Sequence, residues 1–461
     1  MPLKALLITS PSRTKNKFWT CSITSPVGSL MPPCDLASIA AVLRRDGIEP
    51  RILDLRFFDS PMAALDSLIT EFRPDAVITN LATATAREDL PMLEALRNRV
   101  SRIIVFNFHA MALPEEAFAH GATHVLVGDP EYAVTAAVRG DSVPEKGLWT
   151  PGACSTPPGW IKNLDELPFP ALDLLDLDAC HSLIMGRERY AILLATRGCS
   201  YACPYCVIPF LFGERVRTPS VTRILAEIED NIQKHSIRTF FFIDSAMNLN
   251  QAWLQEFCQE IVRRKLSIRW CGNMRVQPVS QELLDLMKRA GCFRVFFGVE
   301  DLDHVKDLKR KTTREATMKA FQLARKAGIE TVAFFILFPD FDQSGPAMVR
   351  RFVRTALELG TDALQCNLAV PYPGSSLFDE HRKAAPPSTV FDWSRFDPAG
   401  NTPPYESKLD LVKIRQEVYL RFFLSRPSSI WRTFRQTDLR SIWTFLVNAL
   451  QVLWGKQLSG S

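Results

Sequence analysis

The chain has 461 residues, 47% of them apolar, with 55 Lys and Arg against 50 Asp and Glu for a net charge of +5. That length suits two or three domains, and the apolar share supports a large core and disfavours disorder. So small a charge on so long a chain argues against a generally basic nucleic-acid binder, and no nucleic-acid partner is expected. Eleven cysteines, an odd number, do not suggest a secreted disulfide scaffold, and Met1-Pro-Leu-Lys-Ala-Leu-Leu-Ile8 reads as a first buried strand rather than a leader. A reducing cytoplasm is the expected compartment.

Residues 1–140 alternate short apolar runs with helical patterns. Strands are predicted at 4–9, 51–55, 76–79, 102–106 and 124–127, with helices at 35–46, 61–72, 89–100 and 114–120 between them. This rhythm predicts a doubly wound, Rossmann-like sheet with a ligand crevice at the carboxyl ends of its strands. Residues 141–189 read as a linker, because Pro144, Pro151, Pro157, Pro158, Pro168 and Pro170 disfavour long regular elements.

From Tyr190 the chain repeats strand then helix. Strands are predicted near 191–196, 238–243, 267–272, 294–299, 331–337 and 363–369, and helices at 221–235, 251–265, 281–290, 314–327 and 345–359. Six such units predict a partial (β/α)6 barrel with its chemistry at the strand carboxyl ends. Directly after the first of these strands stands Cys199-Ser-Tyr-Ala-Cys203-Pro-Tyr-Cys206. Three closely spaced thiolates could hold three irons of a cubane and leave the fourth open. A zinc loop or buried free thiols are the alternative, but zinc loops usually come as two cysteine pairs, and no second pair stands at a suitable spacing.

The spacing of Cys199, Cys203 and Cys206, with an aromatic before the last, resembles the signature of the radical S-adenosylmethionine (radical SAM) superfamily. The resemblance implies a 4Fe-4S cluster whose open iron takes the amino and carboxylate groups of S-adenosylmethionine, and reductive cleavage to a 5′-deoxyadenosyl radical. It places Asp244, in Phe240-Phe-Phe-Ile-Asp244, at the amino group, with a helix N-cap as the bland alternative. Asn273 and Arg275 close the third strand, where Arg275 either pairs with the cofactor carboxylate or forms a structural salt bridge. Glu300, in Phe297-Gly-Val-Glu300, resembles the family's cofactor-facing Glu. Lys311 stands near the mouth or on a solvated face, and Val370-Pro-Tyr-Pro-Gly374 borders the substrate or fixes a turn.

Residues 1–140 resemble the cobalamin-binding domain often fused before a radical SAM barrel. The match runs through Leu36–Leu43 with Gly47, Arg73–Thr79, Phe106-Asn-Phe-His109, Pro114-Glu-Glu116 and Gly128-Asp-Pro-Glu131. It suggests His109 and Glu131 as cofactor-side residues, His109 being otherwise a surface loop histidine. Where relatives carry paired glycines this chain has Phe106 and Asn107, and bulky Phe106 is expected to crowd a flat corrin.

After about residue 400 the rhythm stops. Residues 409–423 read as a helix. Residues 430–454, with arginines beside Trp and Phe, fit either an amphipathic helix at the inner membrane face or a helix over the barrel opening. The expected organisation is thus a cobalamin-binding-like domain at 1–140, a linker at 141–189, a radical SAM partial barrel at 190–400 and a helical region at 401–461. The expected activity is that of a cobalamin-type radical SAM methyltransferase acting on an unactivated carbon of a small-molecule or lipid-like substrate. An electron donor such as flavodoxin or ferredoxin would serve it. The alternatives are a cyclase, oxidase or rearranging enzyme with a degenerate first domain, and a non-enzymatic cluster-bearing protein at a membrane.

Overall fold

The computed structural model of the chain describes residues 2–426, apart from 13–14, 18–21, 25–29, 141–145, 183–184, 186–187, 340, 342–343 and 387–388. The apolar segment expected at 430–454 lies outside the described residues.

The first sheet contains β1 (Lys4–Ile8), β2 (Glu49–Leu53), β3 (Ala76–Asn80), β4 (Arg102–Phe106), β5 (His124–Leu126) and β6 (Leu148–Trp149), in the order β2-β1-β3-β4-β5-β6. The first five are parallel and correspond to the five predicted strands; β6 pairs antiparallel with β5. Side chains alternate between two cores, as period-two burial on a sheet covered on both faces requires. Leu6, Ile8, Val77 and Val105 face one core, while Ala5, Leu7, Ile78, Ile104 and Phe106 face the other. The order reverses between β1 and β3, the switch point at which such sheets take ligands.

Two features of this half differ from expectation. The segment from Gly128 continues into a helix, Pro130–Arg139, started by Pro at its first turn and stopped by left-handed Gly140. Phe106 does not crowd the ligand edge. It is buried with Ile104, Leu126 and Ala133 in the core. Asn107 then takes a backbone conformation with φ 93° and ψ 169°, a region otherwise reserved for glycine. Its side chain offsets the cost: the amide donates to Asn80 Oδ1 at 2.7 Å, and Oδ1 accepts from Phe108 N at 2.7 Å.

The second sheet contains β7 (Tyr190–Leu193), β8 (Thr239–Phe242), β9 (Arg269–Met274), β10 (Cys292–Glu300), β11 (Glu330–Leu337) and β12 (Ala363–Leu368), all parallel and in sequential order. This is the expected six-stranded partial barrel. Its helices begin on side-chain caps: Ser220 accepts from Arg223 N, Asn250 from Trp253 N, Ser280 from Leu283 N and Thr313 from Ala316 N. Helix Leu411–Ser425 protects the edge strand β12, where Tyr419 Oη accepts Cys366 N–H at 2.9 Å. Among the described residues no helix is long and apolar enough to cross a membrane.

The two sheets share a core running from Leu6 and Val77 through Ile192 to Leu225. Their carboxyl edges also touch. Phe108 meets Tyr372 edge-on with ring centres 5.4 Å apart, and His109 meets Trp393 at 4.8 Å. Asn107→Ala is expected to destabilise the protein by about 1–3 kcal/mol and Asn107→Gly by less, as urea midpoints would report. Equal losses would show that the backbone angle is not what Asn107 stabilises.

Candidate functional site: the cysteine loop and the barrel mouth

The loop leaving β7 is closed at its base by a two-way backbone bridge. Arg197 N donates to Arg217 O at 2.9 Å and Arg217 N to Arg197 O at 2.8 Å. Gly198 makes the turn with φ 88°, and a Cβ there would lie 2.2 Å from Arg215 O, so no other residue fits. Cys199 N then donates to Gly213 O, and Cys206 N to Cys203 O. Cys203 is buried, and Cys199 and Cys206 are partly covered. Burial pushes the Cys206 thiol up to about 12, with Cys203 and Cys199 adding to the rise. Burial likewise raises Cys199, and Cys203 contributes.

The three sulfurs therefore sense one another as a group. Among the described residues no three His, Cys, Asp or Glu side chains converge on a single metal ion. A cubane makes a different demand, one thiolate per iron at separate corners, and a coordinating metal deprotonates a thiol that burial keeps neutral.

Beside this loop the strand ends assemble a polar mouth. Asp244, just past β8, is fully buried and its Oδ1 accepts the Thr196 N–H. It does not cap the following helix; Asn250 does. Asn273 donates to Asp244 O at 3.0 Å. Arg275 is 7% exposed. Its backbone N–H donates to Asn248 Oδ1 at 2.9 Å, one guanidinium nitrogen donates to Arg310 O, and the guanidinium carbon lies 3.5 Å from the ring centre of Tyr201. Glu300, at φ 56°, accepts from Tyr205 Oη and Arg310 Nη1, each at 3.0 Å. Burial raises its carboxyl above the usual range, and Arg310 opposes the rise.

The mouth is incompletely satisfied. Thr196 Oγ1, Asp244 Oδ2, Asn273 Oδ1, Arg275 Nε, Glu300 Oε2 and Arg310 Nε are buried and reach no partner. Native cores leave few such atoms. Five lie at the ends of consecutive strands and the sixth, on Arg310, lies beside Glu300; together they suit a ligand carrying both an ammonium and a carboxylate, and so fit S-adenosylmethionine beside a cluster. At the switch point of the first sheet, Ser10 Oγ and Thr79 Oγ1 are also buried without a partner. The crevice there is lined by Ile8, Thr9, Ser10, Pro33, Asp35, Leu36, Arg56 and Asn80. Within that lining Asn80 is bonded to Asp35 and Asn107, and Arg56 to Asp54 and Met31 O, which leaves the Ser10 hydroxyl for the polar rim of a corrin.

The structure thus brings Asp244, Asn273, Arg275 and Glu300 together with the cysteine loop. His109 and Glu131 are placed elsewhere. His109 is fully buried rather than on a surface loop, with Nδ1 3.0 Å from Thr83 Oγ1 and Nε2 3.1 Å from Glu116 Oε2. Burial alone would raise Glu116, but the bonds from His109 and Trp393 outweigh it and hold its carboxyl low. Glu131 forms a bidentate pair with Arg197 at 2.9 and 2.8 Å. Lys311 is exposed, 5.9 Å from the ring centre of Tyr201. Arg310 and Tyr205 went unremarked in the sequence as partners of Glu300. Arg310 sits inside a charged run that reads as solvated, and nothing local distinguishes the buried charge from the exposed ones beside it.

A parallel sheet carrying three cysteines after its first strand and a polar mouth at its carboxyl edge has the arrangement expected of a radical SAM barrel. Residues 193–353 match the model of the Radical SAM superfamily, a family that implies a 4Fe-4S cluster and S-adenosylmethionine. The chain is similar to an uncharacterized methyltransferase of Pyrococcus horikoshii, 25% identical over 92% of this chain and 93% of that one. It is also similar to the anaerobic magnesium-protoporphyrin IX monomethyl ester cyclase of Rubrivivax gelatinosus, 27% identical over 58% of this chain, and spans about half (48%) of that enzyme's length. Its fold matches that of TsrM from Kitasatospora setae, a radical S-adenosylmethionine methyltransferase solved with cobalamin and a [4Fe-4S] cluster. The TM-score is 0.66 at 18% identity, over 90% of this chain and 82% of that one.

Burial raises the Asp244 carboxyl from 3.8 to about 7. An acid whose folded value is raised contributes stability that is full below about pH 4 and lost as pH rises through about 7. Asp244→Asn is therefore expected to gain stability relative to the parent between pH 5 and pH 8, on the order of a few kcal/mol in urea denaturation. An identical pH dependence in both proteins would show that Asp244 is not the desolvated acid.

Proposed function

We propose that this chain is a cobalamin-type radical SAM enzyme that methylates an unactivated carbon of an apolar small-molecule or lipid-like substrate. The observation that carries the reading is the union of two carboxyl edges: a switch-point crevice with the unpartnered Ser10 hydroxyl, and a barrel mouth with unpartnered polar atoms, joined by Phe108 on Tyr372. The methyltransferase names of the Pyrococcus relative and of TsrM support it.

When bound, a 4Fe-4S cluster with S-adenosylmethionine supplies a hydrogen-abstracting radical, and cobalamin supplies a methyl carrier. The chain's own residues prepare the site. Cys199, Cys203 and Cys206 present three thiolates. Asp244, once ionised, takes the ammonium of S-adenosylmethionine, with Thr196 holding its other oxygen. Arg275 offers Nε to the carboxylate while Tyr201 covers its face. Arg310 and Tyr205 orient Glu300 toward the same ligand. Ser10 would meet the corrin rim, beside Asn80. Phe338 and Leu308, buried beside Tyr205, exclude water from the mouth. Electrons would come from a flavodoxin- or ferredoxin-type donor, and the segment 430–454 would rest at the inner face of a membrane.

The test is the iron and corrin content of protein purified without oxygen after growth with cobalamin, followed by product analysis. About four irons and one corrin per chain, with S-adenosylhomocysteine formed beside 5′-deoxyadenosine, are expected. Cys203→Ala is expected to abolish 5′-deoxyadenosine formation. Four irons without corrin, and 5′-deoxyadenosine alone, would overturn methyl transfer and favour the oxidative or cyclising chemistry that the Rubrivivax relative's name describes.

A further inference from the structure

Glu131 and its neighbour Asp129 stand at the start of helix Pro130–Arg139 in the first domain, yet their strongest partners belong to the barrel. Arg197 sends both terminal nitrogens to Glu131 and lies 3.1 Å from Asp129 Oδ1. Arg217 pairs with Asp129 Oδ2 and donates to Ile161 O at 2.7 Å and Phe212 O at 2.9 Å. Ser38 adds a hydroxyl donor to Glu131 Oε1 at 2.8 Å. Arg197, Asp129 and Glu131 are each less than 5% exposed. The linker threads the same place: Ile161 N donates to Asp129 Oδ2 at 2.7 Å, and Trp160 Nε1 reaches Leu211 O at 3.4 Å.

Arg197 and Arg217 are also the residues whose backbones bridge to close the base of the cysteine loop. The two residues whose backbones close this base therefore have their guanidiniums directed by two carboxylates of the other domain. Charges sealed from water interact strongly, and removing one member leaves its partner buried and uncompensated. A guanidinium fork on a carboxylate sets orientation as well as distance, which apolar packing would not. Cys199 lies two residues beyond Arg197, so a tilt of that side chain passes directly to the first thiolate.

We propose that Glu131 and Asp129 are positioning residues for the cluster: through Arg197 and Arg217 the first domain holds the cysteine loop in its cluster-receiving shape. Both carboxylates are engaged by Arg197 and Arg217, and the role does not depend on whether the enzyme transfers methyl groups.

The experiment uses the full-length protein stripped of iron by chelation without oxygen, treated with iodoacetamide and read cysteine by cysteine by mass spectrometry. In Glu131→Gln, alkylation of Cys199, Cys203 and Cys206 is expected to quicken several-fold, while buried Cys258 and Cys292 stay as protected as in the parent. Arg197→Lys, which keeps the charge and loses the fork, is expected to behave alike, and Glu131→Asp to restore part of the protection. After reconstitution, the electron paramagnetic resonance signal of the reduced cluster with S-adenosylmethionine is expected to shift or broaden in Glu131→Gln. Unchanged thiol rates together with an unchanged signal would overturn the proposal. Equal acceleration at Cys258 and Cys292 would overturn it too, by showing a general loss of fold.

Discussion

The buried charge cluster of Asp129, Glu131, Arg197 and Arg217 is the interaction on which the rest of the molecule depends. It contains two carboxylates and two guanidiniums, so its formal charge is balanced where water cannot screen it. Each domain supplies one sign, and neither could bury its half alone without a large desolvation cost. The cluster also lies at the base of the loop that carries the three cysteines. The same side chains therefore join the two halves and stand at the base of the site.

The barrel mouth follows the opposite rule. There the chain leaves polar atoms buried and unmatched, around Asp244, Asn273, Arg275, Glu300 and Arg310. Such atoms weaken the fold, and their concentration at one strand edge marks where a polar ligand replaces water. Asp244 shows the tension most clearly, since burial favours its neutral form while an ammonium ligand would favour the charged one. The charges of the domain interface are paired within the protein, whereas the mouth keeps a group of polar atoms unpaired.

Much of this was legible in the sequence. The cysteine spacing, the strand-helix rhythm and the acid or amide at successive strand ends are local patterns, and a parallel sheet with short connections turns strand ends into one edge. Asp244, Asn273, Arg275 and Glu300 converge for that reason. The helix at Pro130–Arg139 is also written there, in its opening proline and closing Gly140, although the helices predicted for this half stop at residue 120. Strand β6 has two residues and exists only through pairing with Val125 and Leu126, so no local pattern announces it.

What the sequence by itself determined is the chemistry: three thiols on one loop, a six-unit parallel barrel, and a doubly wound domain ahead of it. Covalent spacing and hydrophobic periodicity fix such features within a few tens of residues. Tertiary structure alone decided the partners. It put Glu131 on Arg197, His109 under Trp393, Arg310 on Glu300 and Phe106 into the core rather than against the ligand edge. Those outcomes join residues far apart in the chain or turn on which face of a strand is buried. Burial and pairing are set by the packing of whole elements, and a side chain carries no local mark of the neighbour it will meet.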